Sequence, residues 1–388
     1  MKSAGRYLLC IFFIIILFTA CGQGPKQGQP GGEAPAVISV WYSLEGKLEQ
    51  ELLNQFKQIN EKQHKVLVKG VKIPAKEFVH KVWGLQAGGQ GPEIFIANRD
   101  IIATLYEQGA LSPVLTDSSP VFPSLLAGFT YNRQAFALPW LTDVPLLYYR
   151  KDAISTPPVD FNGLWSSKQP IAVKAQDFLL FSPWWKAEGG ILSQGNLPAL
   201  DAKVNSDFLG KLLASKSDGK IIVDEQAIEL FSTGQVNYLL GWASDSIILD
   251  QKQVDWACIS FSRLQENQAQ ALLAKTIGIA NSSIKTGSEL ENAIRLVEEE
   301  LLETEAGAAA QKATGYMPAN MNFYDRSPVG TLTKEAATTI ENCWPLEGSA
   351  LEWKLLPLYK GAWLNMARQA DISIELAKAQ EAALQIEK

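Results

Sequence analysis

Residues 37–60 read VISVWYSLEGKLEQELLNQFKQIN, and the change of pattern inside this stretch decides the fold class. The first six residues are mostly β-branched or aromatic and run into a polar loop at 43–46, which is how a buried strand ends. From there the apolar residues are Leu48, Leu52, Leu53, Phe56 and Ile59, three or four apart among Glu, Gln and Lys, so they form one face of an amphipathic helix. The alternation continues. Residues 65–71 predict a second strand, and 74–86 a helix with Phe78, Val79, Val82 and Leu85 inward. Residues 93–97 predict a third strand, followed by a helix to Glu107. Alternating strands and helices predict the α/β class with a mainly parallel sheet. Ligands of such sheets sit beyond the carboxyl ends of the strands, here the loops starting at Trp41 and at Asn98.

Past residue 140 the chain predicts strands ending at Tyr148 and Tyr149, at 171–173, at 236–242 (VNYLLGW), at 256–261 and at 276–280. Helices are expected over 178–186, from Ala227 to Gly234, and over 288–302, 334–342 and 372–386. No internal repeat is visible.

The chain has 388 residues, enough for about two domains. Its 47% hydrophobic and 20% charged content is ordinary for a globular protein. His64 and His80 are its two histidines and stand sixteen residues apart with no cysteine or carboxylate cluster beside them, so no metal site or cofactor is expected. A net charge of −6 without any basic run argues against nucleic acid. The excess is in tryptophan, with eleven residues, each a candidate flat recognition surface.

Residues 1–36 fall outside the fold. Lys2 and Arg6 precede an apolar run over 8–18, then Thr19, Ala20 and Cys21, the layout of an export signal. Eleven apolar residues at about 1.5 Å each cover roughly half of a 30 Å hydrocarbon layer. The small residues before Cys21 resemble a bacterial lipobox, although Phe18 stands where Leu is usual; cleavage would leave 1–20 as signal and a lipidated Cys21. Residues 21–36, rich in Gly, Pro and Gln, read as a flexible tether. Loss of Lys2 and Arg6 takes the charge from −6 to −8. Cys258 and Cys343 then remain in a compartment that permits disulfides, and their pairing stays open between a disulfide and buried free thiols.

Several pieces resemble, in order, the extracellular solute-binding proteins of ABC importers, in the maltose-binding-like group called family 1. They are VISVWYSLEG, FKQINEKQ, LQAGGQGPEIFIAN, LYEQGALSPV, FALPWLTDVPLLYYRKD, ELFSTGQVNYLLGWASD, TGYMPAN and SIELAKAQEAALQ. The chain departs in having Glu93 where the family usually has Asp, and in a short stretch between Ala153 and Pro170. The resemblance implies a type II periplasmic-binding fold, two interleaved lobes with the ligand cleft between them, closed by a hinge. Carried onto this sequence, the first lobe is 37–140 plus 277–313, the second 141–276 plus 314–388. The chain crosses between them at 139–143, 275–278 and 313–316.

A sugar needs an aromatic platform for its ring face and planar polar groups for its hydroxyl edge. The residues expected at the cleft are Trp41, Ser43, Asn98, Trp140, Asp143, Trp242, Ser244, Asp245, Tyr316 and Asn320. One of the adjacent Trp184 and Trp185, taken as Trp185, is expected to join them, since neighbours on a helix diverge by about 100°. Trp83, Trp344, Trp353 and Trp363 are expected to pack, and the run Glu298, Glu299, Glu300 to form a solvated helix face.

The resulting expectation is a monomeric, lipid-anchored receptor outside the cytoplasmic membrane that hands a carbohydrate or similar polar molecule to an ABC permease and makes or breaks no bond. The anchor is its only membrane contact, and it needs no metal or cofactor. Two other readings are a surface lipoprotein that senses a ligand for a signalling partner, and a glycoside hydrolase using Asp143 and Asp245 as its carboxylates. A ferric site on Tyr148 and Tyr149 is disfavoured because neighbours alternate across a strand.

Overall fold

The computed structural model describes residues 34–386, apart from 87, 89, 117–119, 167, 176, 265–269, 284–286, 327–330, 347–349 and 369. The export signal, Cys21 and nearly all of the tether lie outside the described residues.

The chain builds most of one sheet, leaves it, builds a second, and returns to the first with its last two strands. Strands β1 (Ala36–Tyr42), β2 (Val66–Lys72), β3 (Ile94–Asn98) and β4 (Leu111–Ser112) come first. A small hairpin of β5 (Thr130–Tyr131) and β6 (Gln134–Ala135) precedes β7 (Leu138–Thr142). Then follow β8 (Pro145–Arg150) and β9 (Ile171–Val173), a second hairpin of β10 (Ser193–Gln194) and β11 (Leu197–Pro198), then β12 (Ile221–Val223), β13 (Tyr238–Trp242) and β14 (Trp256–Ile259). The returning strands are β15 (Thr276–Ser282) and β16 (Met317–Pro318). The first sheet has the order β16-β7-β15-β3-β1-β2, with β4 on β15; the second has the order β12-β9-β13-β8-β14.

The pairing is less parallel than strand–helix alternation predicts. In the first sheet β1 runs parallel to β2 and β3, whereas β15 runs against β3 and β7, and β16 against β7. In the second sheet β8 runs against β13 and β14, while β9 is parallel to β12 and β13. The reason is topological. The strands β8 and β15 each begin just after the chain has changed sheets, so they start at the edge where their neighbours end; β16 follows helices Ser288–Leu301 and Thr304–Thr314, which pack on the first sheet, and starts beside the end of β7. Both changes of sheet, β7 to β8 and β14 to β15, are thereby gathered along one edge of each sheet.

Burial follows the expected periodicities. Ile38 and Val40 point into the core from β1, and Leu52, Phe56 and Ile59 meet them from helix Gly46–Lys62. Glu93 accepts the Ser39 N–H at 2.7 Å and so pins β3's entry to β1. Trp353 and Trp363 are buried and Trp344 is partly so. Trp83 is 63% exposed instead of packed. Helix Ala75–Gln86 buries Phe78 and Val82, and a residue one step beyond Val82 is turned about 100° further, towards solvent. Glu298 departs the other way: it is 5% exposed, because Ile294, Val297, Glu298 and Leu301 share the inward face of helix Ser288–Leu301. Cys258 and Cys343 are both buried free thiols.

Candidate functional site

Asp143 and Val144 alone separate β7 from β8, so the first link between the sheets is short. Asp143 is 1% exposed. Its Oδ1 accepts the Ser244 backbone N–H at 3.0 Å and its Oδ2 the Ser244 hydroxyl at 2.7 Å. The Ala243 N–H donates to the Val144 carbonyl at 2.8 Å. The link is therefore fastened to the turn Ala243–Asp245 that follows β13. Within that turn Asp245 folds back to accept the Trp242 N–H at 2.8 Å, and Lys174, just past the end of β9, stands 3.5 Å from its other oxygen.

The second link delivers Lys275 at the start of β15. Its ammonium lies 3.4 Å from Asp177 and 4.0 Å from Asp143, and 3.8 Å from the centre of the Trp242 ring. The indole N–H of Trp242 donates to Asp177. One cation thus covers the face of Trp242 while two carboxylates hold it there. The third expected crossing, 313–316, joins helix Thr304–Thr314 to β16 of the first sheet, and reaches the cluster through Gly315, which adopts φ 75° in the left-handed region; a Cβ at that position would stand 2.6 Å from the Ser244 Cα. Glycine is needed on both counts. Tyr316 follows, with its N–H donating to the Thr314 hydroxyl at 3.1 Å.

The electrostatics match this crowding. Burial pushes the Asp143 carboxyl up to about 7, with Asp245 adding to the rise and Lys275 and the Ser244 hydrogen bonds holding it back. Burial, together with Asp143, Asp177 and Asp245, also pushes the Tyr316 phenol above its ordinary range. The cluster offers an indole, a phenol, hydroxyls, three carboxylates and two ammonium groups, which is a surface for hydrogen-bonding a polar ligand. Asp143 and Asp245 are both spent on fastening turns. Among the described residues no group of three or more His, Cys, Asp or Glu is placed to hold a metal ion.

Asp143, Trp242, Ser244, Asp245 and Tyr316 are therefore brought together. Ser43 and Asn98 lie at the same edge of the first sheet, because Asn98 registers with Ile277 and Thr276 with Thr142. Ser43 is buried with its hydroxyl unpartnered, and Asn98 is exposed. Trp41 is half-buried against the apolar cluster around Phe78 and Phe95. Trp140, Trp185 and Asn320 are not brought to the cluster. Trp140 packs in the core with its indole N–H on the Leu301 carbonyl at 3.1 Å. Trp185 is 0% exposed, donates to Asn205 at 2.9 Å and stacks on Tyr359 at 4.7 Å. Asn320 donates to the Leu302 carbonyl at 2.6 Å and accepts the Asn322 N–H at 2.9 Å, so it ties a loop. Three participants were not expected: Lys174, Asp177 and Lys275. The strand-end rule that selected Trp242 would have selected Lys174 as well, whereas Lys275 precedes its strand and falls outside that rule.

Comparison with known proteins supports the fold. The structure resembles the maltose/maltodextrin-binding domain MalE from Bdellovibrio bacteriovorus bound to maltotriose, with TM-score 0.71 and 18% identity over 91% of this chain and 100% of that one. It resembles a cyclo/maltodextrin-binding protein complexed with maltotetraose, with TM-score 0.75 and 14% identity over 92% and 98%. Both show the two-lobed type II periplasmic-binding fold. In sequence the chain is 24% identical over 164 residues to the maltodextrin-binding protein MdxE of Bacillus subtilis, covering 41% of this chain and only 37% of that relative. The family model described as bacterial extracellular solute-binding protein matches residues 52–339. That family consists of binding proteins and not enzymes, and with so much of its length matched the chain belongs to the bacterial extracellular solute-binding proteins.

Proposed function

We propose that this protein captures a carbohydrate of the maltooligosaccharide class in a cleft between two lobes, at the cluster around Asp143 and Trp242, and delivers it to an ABC import permease. The lobes are residues 37–140 plus 277–313 and 141–276 plus 314–388, hinged at the two links and the turn at Gly315. The protein is monomeric and held outside the cytoplasmic membrane by a lipid on Cys21. The observation that carries this reading is that both passages between the sheets and the turn at Gly315 converge on one aromatic and hydrogen-bonding cluster, so a ligand gripping it would set the angle between the lobes. Trp242 would supply the platform for a sugar ring, and Asp177 and Ser244 the partners for its hydroxyls. Because Lys275 covers the indole face, ligand entry displaces this side chain, whose ammonium is then free to donate to a hydroxyl.

The test is calorimetric titration with maltotriose and maltotetraose, followed by chromatography of the sugar after prolonged incubation. Saturable heat and intact sugar are expected. Shortened sugar would favour the hydrolase reading, and the absence of heat with either compound would remove the carbohydrate assignment.

A further inference from the structure

The far end of the first sheet holds a second polar feature. Glu298, on the inward face of helix Ser288–Leu301, has a carboxyl oxygen Oε1 with no hydrogen-bond partner, and the side-chain oxygen Oδ1 of Asn281 on β15 has none either. The Glu298 carboxyl takes one hydrogen bond from the Asn281 side chain, which leaves Oε1 over; a buried acceptor in this state is costly and marks a place where a donor is missing. Both residues line one cavity of about 550 Å³, together with Ser112, Ile294, Glu291 and Arg295. That size falls within the range of small-molecule sites. Glu291 and Glu298 stand two helical turns apart, about 10.5 Å along the axis, on one side of the helix. Arg295, the cation of the lining, sits 3.7 Å from Glu299, so the ionised lining of Glu291, Glu298 and Arg295 is net negative. Asn281 is five residues from Thr276 along β15, roughly 17 Å of strand, so this cavity is separate from the cluster around Asp143.

We propose that this cavity is a second ligand site, which takes a small organic ammonium ion whose N–H groups donate to Glu298 Oε1 and Asn281 Oδ1. An ammonium offers three donors and no acceptor, which suits two unfilled acceptors in a negatively charged lining better than a neutral polyol does. Burial, with a contribution from Glu299, raises the Glu298 carboxyl to about 7, while Asn281 and Arg295 hold it back; a bound cation would favour the ionised form and bring the value down.

The experiment is calorimetric titration of the purified protein with ethylammonium chloride at about pH 8.5, where the amine is cationic and Glu298 ionised. Saturable binding is expected, at least tenfold weaker in Glu298→Gln and unchanged in Trp83→Ser, at an exposed position outside both sites. In the wild-type protein alone, affinity should fall about tenfold for each pH unit below the Glu298 value, because the proton competes for the same oxygen. Three results each overturn the proposal: no saturable heat, affinity independent of pH between about 5.5 and 8.5, or equal binding of glycerol, sodium or calcium. Unweakened binding in a folded Glu298→Gln variant overturns it too.

Discussion

Replacing Lys275 with Met should destabilise the protein more at high pH than at low pH. Burial raises the Asp143 carboxyl from its ordinary 3.8 to about 7 against the pull of Lys275. The folded protein therefore holds this proton more tightly than the unfolded chain. Stability from this group is fully present below about pH 4, is lost as the pH climbs towards 7, and is level above that. The Lys275 ammonium is 4.0 Å from Asp143 Oδ2, an attraction of about 4 kcal/mol at an effective dielectric constant of about 20. Its side chain is 34% exposed, and solvent screening reduces the figure to about 1–2 kcal/mol, equivalent to roughly one pKa unit on Asp143. Without the lysine the loss of stability should continue about one unit further up the pH scale, while Met still covers the Trp242 ring. Urea unfolding at about pH 6 and about pH 8.5 reads this directly: the variant should lose about 1–2 kcal/mol more at the higher pH. In an Asp143→Asn background that extra loss should vanish. A loss equal at both pH values would refute the pairing.

Two further outcomes follow from the same geometry and from the leader. Gly315→Ala puts a Cβ against the Ser244 backbone and forces a side chain into the left-handed region, so a loss of at least about 2 kcal/mol in thermal or urea unfolding is expected; full stability would mean that the turn at Gly315 is loosely held. Cys21→Ser should move the protein from the membrane fraction to the soluble one; continued sedimentation with membranes would mean that the apolar run over 8–18 is retained as an anchor.

Much of the first sheet was legible because its elements are simple: β1 and helix Gly46–Lys62 show the two periodicities side by side. Helix Ala350–Ala367 was not expected, because its apolar residues go all round it and it contains Pro357, which leaves no single-sided pattern to read. Strand alternation was equally uninformative in β7, where all five residues are buried, so nothing in the sequence separated Trp140 in the core from Asp143 at the link. Of the adjacent pair, Trp184 is 8% exposed and Trp185 wholly buried, and helix spacing could say that they diverge but not which faced inward. Glu298 was legible in principle, since it stands four residues from Ile294 and three from Leu301, but a run of three glutamates reads as solvated unless each is placed on the helical wheel. Lys275 and Asp177 meet Trp242 through contacts across 33 and 65 residues of chain, which no local pattern reports.

The central claim is that the cluster joining the two links and the turn at Gly315 binds the ligand through the Trp242 face. Its most direct test is the affinity for maltotetraose, by calorimetry, of the wild type, Trp242→Leu and the exposed control Trp83→Ser, with folding checked by circular dichroism. A fall of at least about fivefold in Trp242→Leu, corresponding to about 1 kcal/mol, with no change in Trp83→Ser, is the predicted result. Unchanged affinity in a folded Trp242→Leu variant would contradict the account and move the ligand site away from the links.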